Sequence, residues 1–186
     1  DASLMTALSS SRDRGGDLVV RSAAFVEQRW VEGHPGFRSS EVLVWEPDRL
    51  RVAAYYERSF YGLRLSRQPA PLTEGPAVAE LLAETMATRL DQRFMTEPAV
   101  ASLVRRIELL AELQPELDLP SDMRHWFRSA HSRFCTGCRS WAEVKQRDLA
   151  EFVLSSLSWR HREALNQEAP AKLKVPSGRM VALSYP

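Results

Sequence analysis

Apolar and polar residues alternate along the first third of the chain and recur at helical spacing along most of the rest. "DLVVRSA" (17–23) predicts a strand that runs into an amphipathic helical turn, "AAFVEQRWVEG", stopped by Gly33 and Pro35. "SEVLVWEPDRLRVAAYYERSFYGLRLSRQ" (40–68) carries the strongest β signal. Val42 and Val44, then Val52 and Ala54, alternate around a Glu46–Arg49 turn, which predicts a hairpin with a long aromatic second arm. Gly62 within that arm predicts a bulge or bend.

Proline-rich "PAPLTEGP" (69–76) interrupts this pattern, with the linker proper at 71–76. Beyond it, Val78, Leu81, Leu82 and Met86 fall at helical spacing, and a second helix opens at Glu97-Pro98 with Val100, Leu103, Val104, Ile107 and Leu110 on one face. Ser121 offers an N-cap for a third helix. Further helices follow around 140–144, 147–157 and 159–168, the last ended by Pro170. The chain closes on two short alternating runs flanking Val175-Pro176-Ser177-Gly178. These residues predict a type I turn, with Leu173, Val175, Val181 and Leu183 buried and Trp159 packed nearby.

The predicted fold is α+β: a small, twisted, β-barrel-like (OB-like) N-terminal unit, then a helical layer and a terminal β-hairpin. The predicted organisation is a flexible stretch at 1–16, a β-rich unit at 17–70, the linker at 71–76, a helical unit at 77–168 and the hairpin at 169–186.

Composition narrows the function classes. The 186 residues are 44% hydrophobic and 26% charged with a net charge of +1, so no global field selects nucleic acid or membrane. The basic residues are 22 arginines and only three lysines, which favours planar phosphate contacts and base stacking at local patches. No stretch has the length of a membrane span, the start lacks a secretory signal, and two cysteines make no disulfide scaffold. These features predict a reducing cytoplasm. A start at Asp1 rather than methionine predicts a piece of a longer chain.

Among candidate chemistries, Cys135-Thr-Gly-Cys138 has the spacing of a zinc half-site or a redox dithiol. The zinc reading lacks a second ligand pair of standard spacing, since only His125 and His131 are near in sequence, and the redox reading lacks a βαβ surround. Two small side chains filling a bend between helices fit better. No G-x-S-x-G elbow is present, and none of the eight glycines precedes a lysine, so there is no G-K-[ST] phosphate loop. No catalytic residue and no metal ligand is assigned. The binding candidate is the arm from Arg51 to Gln68. Alternation carried through Gly62 puts Arg51, Tyr55 and Tyr61 on one face and Tyr56, Arg58, Phe60 and Arg64 on the other. Arg51, Arg58 and Arg64 would meet phosphates while Tyr55 and Tyr61 stack bases; the alternative is that the aromatics only pack a barrel.

Residues 156–186 resemble a segment of bacterial HrpB-type ATP-dependent helicases, relatives of the DEAH-box group, with the pattern L-P-W-x-x-R-x-x-L-D-x-x-A-P-x-x-L-x-V-P-S-G-x-x-I-x-L-x-Y. Leu157, Trp159, Arg162, Leu165, Ala169, Pro170, Leu173, Val175, Pro176, Ser177, Gly178, Leu183 and Tyr185 match, and Val181 takes the isoleucine place. Ser158 and Asn166 depart from the pattern. More loosely, 42–72 resembles the family's strand–turn–strand segment and 135–153 its G-[VI]-R-S-L-x-D-L stretch, with Cys138 in a small apolar place, so the likeness spans 18–185. The resemblance implies an internal, accessory C-terminal piece of a helicase, cut at both ends and non-catalytic by itself. The parent would be an NTP hydrolase with ATP and Mg in its motor. The implied partners are single-stranded nucleic acid and the motor domains of the same chain, with no membrane. The alternative is a protein-interaction or scaffolding module that binds no nucleic acid.

Overall fold

The structure, a computed structural model, describes residues 3–12 and 18–185, with side chains from Val26 onward. The chain divides into two compact units, Asp1–Val44 with Ala54–Leu72, and Trp45–Ala53 with Thr73–Pro186.

The first unit holds the strands. β1 (Ser3–Arg12) pairs antiparallel with β2 (Leu18–Glu27), from Ser3↔Glu27 to Arg12↔Leu18, with register shifts at Ala7–Ser10. A flexible stretch was expected over 1–16, yet Ser3–Arg12 is a strand. Its serines carry no strand signal, but ladder hydrogen bonds come from the backbone, and β2 supplies the pairing edge. The same pairing carries β2 through Glu27, where a helix was expected from Ala23, and leaves only Gln28–Glu32 as helix α1. Three further strands, β3 (Phe37–Glu46), β4 (Arg51–Phe60) and β5 (Leu63–Ala70), form an antiparallel sheet in the order β3-β4-β5.

The expected OB-like barrel is not found among the described residues. β1 and β2 pair only with each other, and the three-stranded sheet stays open. Period-2 patterning marks strands but is silent on whether a sheet's edges meet.

The second unit is a helical layer: α2 (Pro76–Thr96), α3 (Pro98–Leu113), α4 (Met123–Cys135), α5 (Trp141–Gln146), α6 (Leu149–Ser156) and α7 (Trp159–Glu168). Prolines open α2 and α3, where the missing N–H costs nothing. Side-chain caps open the other four: Asp122, Ser140, Asp148 and Ser158 each accept from the backbone N–H three residues on. The α4 cap is thus Asp122, one residue beyond the expected Ser121; its carboxylate is the group that reaches the His125 N–H.

Leu82, Leu90, Val100, Ile107, Met123, Phe127, Phe134, Leu149 and Leu165 are almost wholly buried, and Phe94 stacks on Phe127 with centroids 4.4 Å apart. Trp45–Ala53, the tip of the β3–β4 hairpin, belongs with these helices. The Val52 N–H donates to the Arg139 carbonyl (2.8 Å) and the Trp141 N–H to the Leu50 carbonyl (2.9 Å). Two three-residue strands, β6 (Lys172–Lys174) and β7 (Met180–Ala182), close the chain as an antiparallel pair.

Candidate nucleic-acid interface

The arm read as one strand with a bend is two strands. The chain reverses at Tyr61-Gly62, both at positive φ (+47° and +81°), the signature of a two-residue type I′ hairpin turn. Tyr55 stands opposite Pro69, Tyr56 opposite Gln68, Glu57 opposite Arg67 and Arg58 opposite Ser66; the register then slips, and Ser59 stands opposite Arg64 and Phe60 opposite Leu63. Leu65 is therefore the extra residue of a bulge. Opposed residues share a face of the sheet, so Arg64 stands with Tyr55 and Glu57, not with Tyr56 and Arg58 as alternation through Gly62 predicted. The two-residue reversal alone moved Arg64 to that face; the bulge lies beyond it and sets Ser66, Arg67 and Gln68.

The candidate arginines differ in what holds them. Arg58 Nη1 lies 3.1 Å from Glu32 Oε1, beside a cavity of about 230 Å³ lined by Val31, Phe37, Leu65 and Gln68. Arg51 Nε lies 2.7 Å from Glu46 Oε2, in the hairpin tip that belongs with the helical unit. Arg64 is exposed and has no ion pair among the described residues. Tyr55 is half-buried, with the Arg67 guanidinium 5.2 Å from its ring centroid while Arg67 Nη2 lies 2.6 Å from Glu57 Oε2. Within the β4–β5 hairpin the freest rings are Tyr61 and Tyr56, at 73% and 52% exposure. Exposed ion pairs of this kind are typically worth about 0–1 kcal/mol, so a phosphate can displace the carboxylate from such an arginine.

Sequence reading missed His34. Its ring lies 5.3 Å from Phe60 and 5.4 Å from Tyr61, which are themselves 4.9 Å apart. No periodicity links positions 34 and 61; the only signal was a His-Pro-Gly loop ahead of a strand.

In the helical unit the motif residues divide. Leu165 is buried, the Ala169 carbonyl accepts from buried Arg106, and the Tyr185 hydroxyl donates to the Pro170 carbonyl (2.7 Å). Pro176 and Ser177 form the terminal turn, closed where the Gly178 N–H donates to the Val175 carbonyl (2.8 Å), with Gly178 at φ +79°. Trp159 and Arg162 face solvent. The expected burial around the hairpin is overturned: Trp159 is 71%, Leu173 51% and Val181 45% exposed, while Val175 and Leu183 are half-buried. Among the described residues β6 and β7 have only each other as sheet partners, and about half of Leu173 and of Val181 is left to solvent.

Cys135 and Cys138 are free and buried, and burial pushes the Cys135 thiol up to about 12 and raises that of Cys138. Thiols so held are protonated packing groups. Among the described residues no three His, Cys, Asp or Glu side chains are grouped to hold a metal.

Residues 126–186 match a family model described as ATP-dependent helicase C-terminal. That model, HrpB_C, is the one the terminal motif resembles, and the likeness to a HrpB-type helicase C-terminal region is thereby shown. Two solved structures share the fold. The Escherichia coli DExH-box NTPase HrpB matches at TM-score 0.55 and 18% identity over 97% of this chain. The E. coli DEAH/RHA helicase HrpB matches at 0.56 and 17% over the same share. The chain spans 23% of the length of each. No curated protein matches the chain.

Proposed function

We propose that this chain is the accessory, non-catalytic C-terminal region of an ATP-dependent, cytoplasmic HrpB-type helicase, and that its β4–β5 hairpin contacts single-stranded nucleic acid. ATP and Mg would be held by the parent's motor, in residues this chain does not contain. The observation that carries the reading is one hairpin presenting exposed Tyr56 and Tyr61 together with Arg58 and with Arg64, which has no ion pair among the described residues. Aromatic faces accept any base and arginines meet the phosphates between bases. Arg51, Tyr55, Arg58, Tyr61 and Arg64 remain the proposed contacts: Tyr55 and Arg64 stand on one sheet face, Arg58 on the other, Tyr61 in the turn, and Arg51 belongs to the second unit.

Fluorescence anisotropy against labelled single strands at increasing salt tests this. Affinity is expected to fall steeply with salt, and Arg58→Ala to reduce the slope by about one unit, the amount that a single arginine–phosphate pairing contributes. Binding that is absent at low salt refutes it.

A specific observation favours a second reading for the helical unit. Trp159, Leu173, Met180 and Val181 are all exposed there, and large exposed apolar side chains mark protein contacts. Their partner would be the helicase motor. Co-purification of the chain with a HrpB motor, abolished by Trp159→Ala, tests that reading.

A further inference from the structure

We infer that the Tyr61 turn is a seat for a single nucleobase and its phosphate, an inference that rests on the nucleic-acid reading above and adds residues to it. Asparagine or glycine would be the easy choice at a position with φ +47° in a type I′ turn; a tyrosine there is a strained exception. The strain is not offset by burying the ring, which is 73% exposed. Strained backbone persists where the surrounding structure holds it, and here two contacts do so. The Tyr61 N–H donates to the Gly36 carbonyl (2.9 Å), and the ring lies directly against Gly36. A methyl group at position 36 would come within 2.5–2.7 Å of three ring atoms. Phe60 and His34 brace the ring from the side, and His34 Nδ1 in turn accepts from the Gly36 N–H (3.0 Å). The loop thus fixes one tyrosine in place and leaves most of its surface to solvent.

A phosphate donor stands beside it. Pro35, Gly36, Arg38, Tyr61 and Gly62 line one open hollow. Arg38 Nη1 donates to the carbonyls of Pro35 (2.6 Å) and Phe37 (2.8 Å), and no carboxylate pairs with it among the described residues. Those bonds use one nitrogen of the guanidinium; among the described residues Nε and Nη2, the edge that grips a phosphate with two parallel bonds, have no partner. A preset aromatic face beside a free guanidinium edge matches a nucleotide: base on Tyr61, phosphate on Arg38.

The test uses a fluorescein-labelled oligouridine of roughly a dozen nucleotides, within the usual site sizes of single-strand binders, and the same oligomer carrying 4-thiouridine for photocrosslinking. Tyr61→Asn removes the ring and supplies a residue the turn favours, so the fold stays intact and the melting temperature holds or rises. It is expected to weaken binding about tenfold, as removing one base stack does, while Tyr61→Phe retains affinity. Gly36→Ala keeps the ring but displaces it and is expected to weaken binding likewise. Crosslinks should fall between residues 34 and 38 or 60 and 63. Unchanged affinity in Tyr61→Asn, with crosslinks at Tyr55–Arg58, overturns the seat and leaves the broader nucleic-acid reading standing. An oligomer that does not bind the unaltered protein overturns both.

Discussion

Phe127 and Trp159 make a paired test of which aromatic residues hold the helical unit together. Phe127 is fully buried: it stacks on Phe94 at 4.4 Å with planes 9° apart, and meets His131, Phe134 and Phe152 edge-on. Truncating a buried Phe to Ala removes the transfer term and leaves a cavity, typically about 3–5 kcal/mol. Four ring partners that hold their own positions leave that cavity little room to collapse, which puts Phe127→Ala in the upper part of the range, about 4–5 kcal/mol. Trp159 is larger but opens α7 at 71% exposure, so Trp159→Ala is expected within about 0.5 kcal/mol of the unaltered protein. Urea unfolding followed by far-UV circular dichroism reads both, at unchanged m-value. In thermal scans Phe127→Ala should lower the midpoint by about 8–20 °C, and Trp159→Ala by less than about 2 °C. A Trp159→Ala destabilisation above roughly 2 kcal/mol, the scale of core truncation, would show that the indole is packed after all and refute the surface drawn around it.

Burial lowers the pKa of His131, which lies 3.2 Å from Asp91, below its ordinary 6.5. The unfolded chain then takes up the proton first, so stability is full above 6.5 and drains away as pH falls through the lowered value; His131→Gln should flatten that decline in urea midpoints. Cys135 has the opposite window: its folded thiol is held at about 12 against 9.0, so stability is full below pH 9.0 and declines toward 12, and Cys135→Ala should reduce the alkaline decline. Arg106, buried, donates to the Ala169 and Leu165 carbonyls at the end of α7. Arg106→Met should cost about 1–3 kcal/mol for acceptors left unpaired, measured by urea unfolding. With no glycine-lysine phosphate loop, the chain should show no ATP turnover in a coupled phosphate-release assay; turnover that survives a control for contaminating ATPases refutes this.

Legibility in the sequence followed the locality of the signal. α2, α3 and α7 were readable because prolines with a mechanism punctuate them: the proline-rich linker ahead of α2, Pro98 in the first turn of α3 and Pro170 beyond α7. β1 was not, because nothing in "SLMTALSSSR" matches a strand until β2 lies beside it. The β4–β5 turn was hidden by its own exception. An Asn-Gly there would have announced a hairpin, whereas Tyr-Gly read as an aromatic strand with a bend. That one misreading put Arg64 on the wrong face and obscured the link between Tyr61 and His34. Aromatic and arginine content could be read from the chain; which of them converge depends on a reversal and a bulge that period-2 patterning does not encode.

The terminal motif shows a different limit. Its spacing was legible residue by residue, and so was the turn at Val175–Gly178. Burial was not, because an apolar position records only that something covers it in the working protein. Leu165, Ala169, Pro170 and Tyr185 are explained by this chain's own contacts: a filled core position, two carbonyls that accept hydrogen bonds and the hydroxyl that donates one. Trp159, Leu173 and Val181 have no such explanation within the described residues. A tryptophan that the fold does not use for stability yet leaves exposed beside a solvent-facing arginine has the make-up of an interface anchor. Trp159→Ala should therefore leave the melting curve in place and weaken association with the motor partner proposed above. A variant that instead melts early, with association intact once refolded, would return Trp159 to the core and leave the motif a packing signature alone.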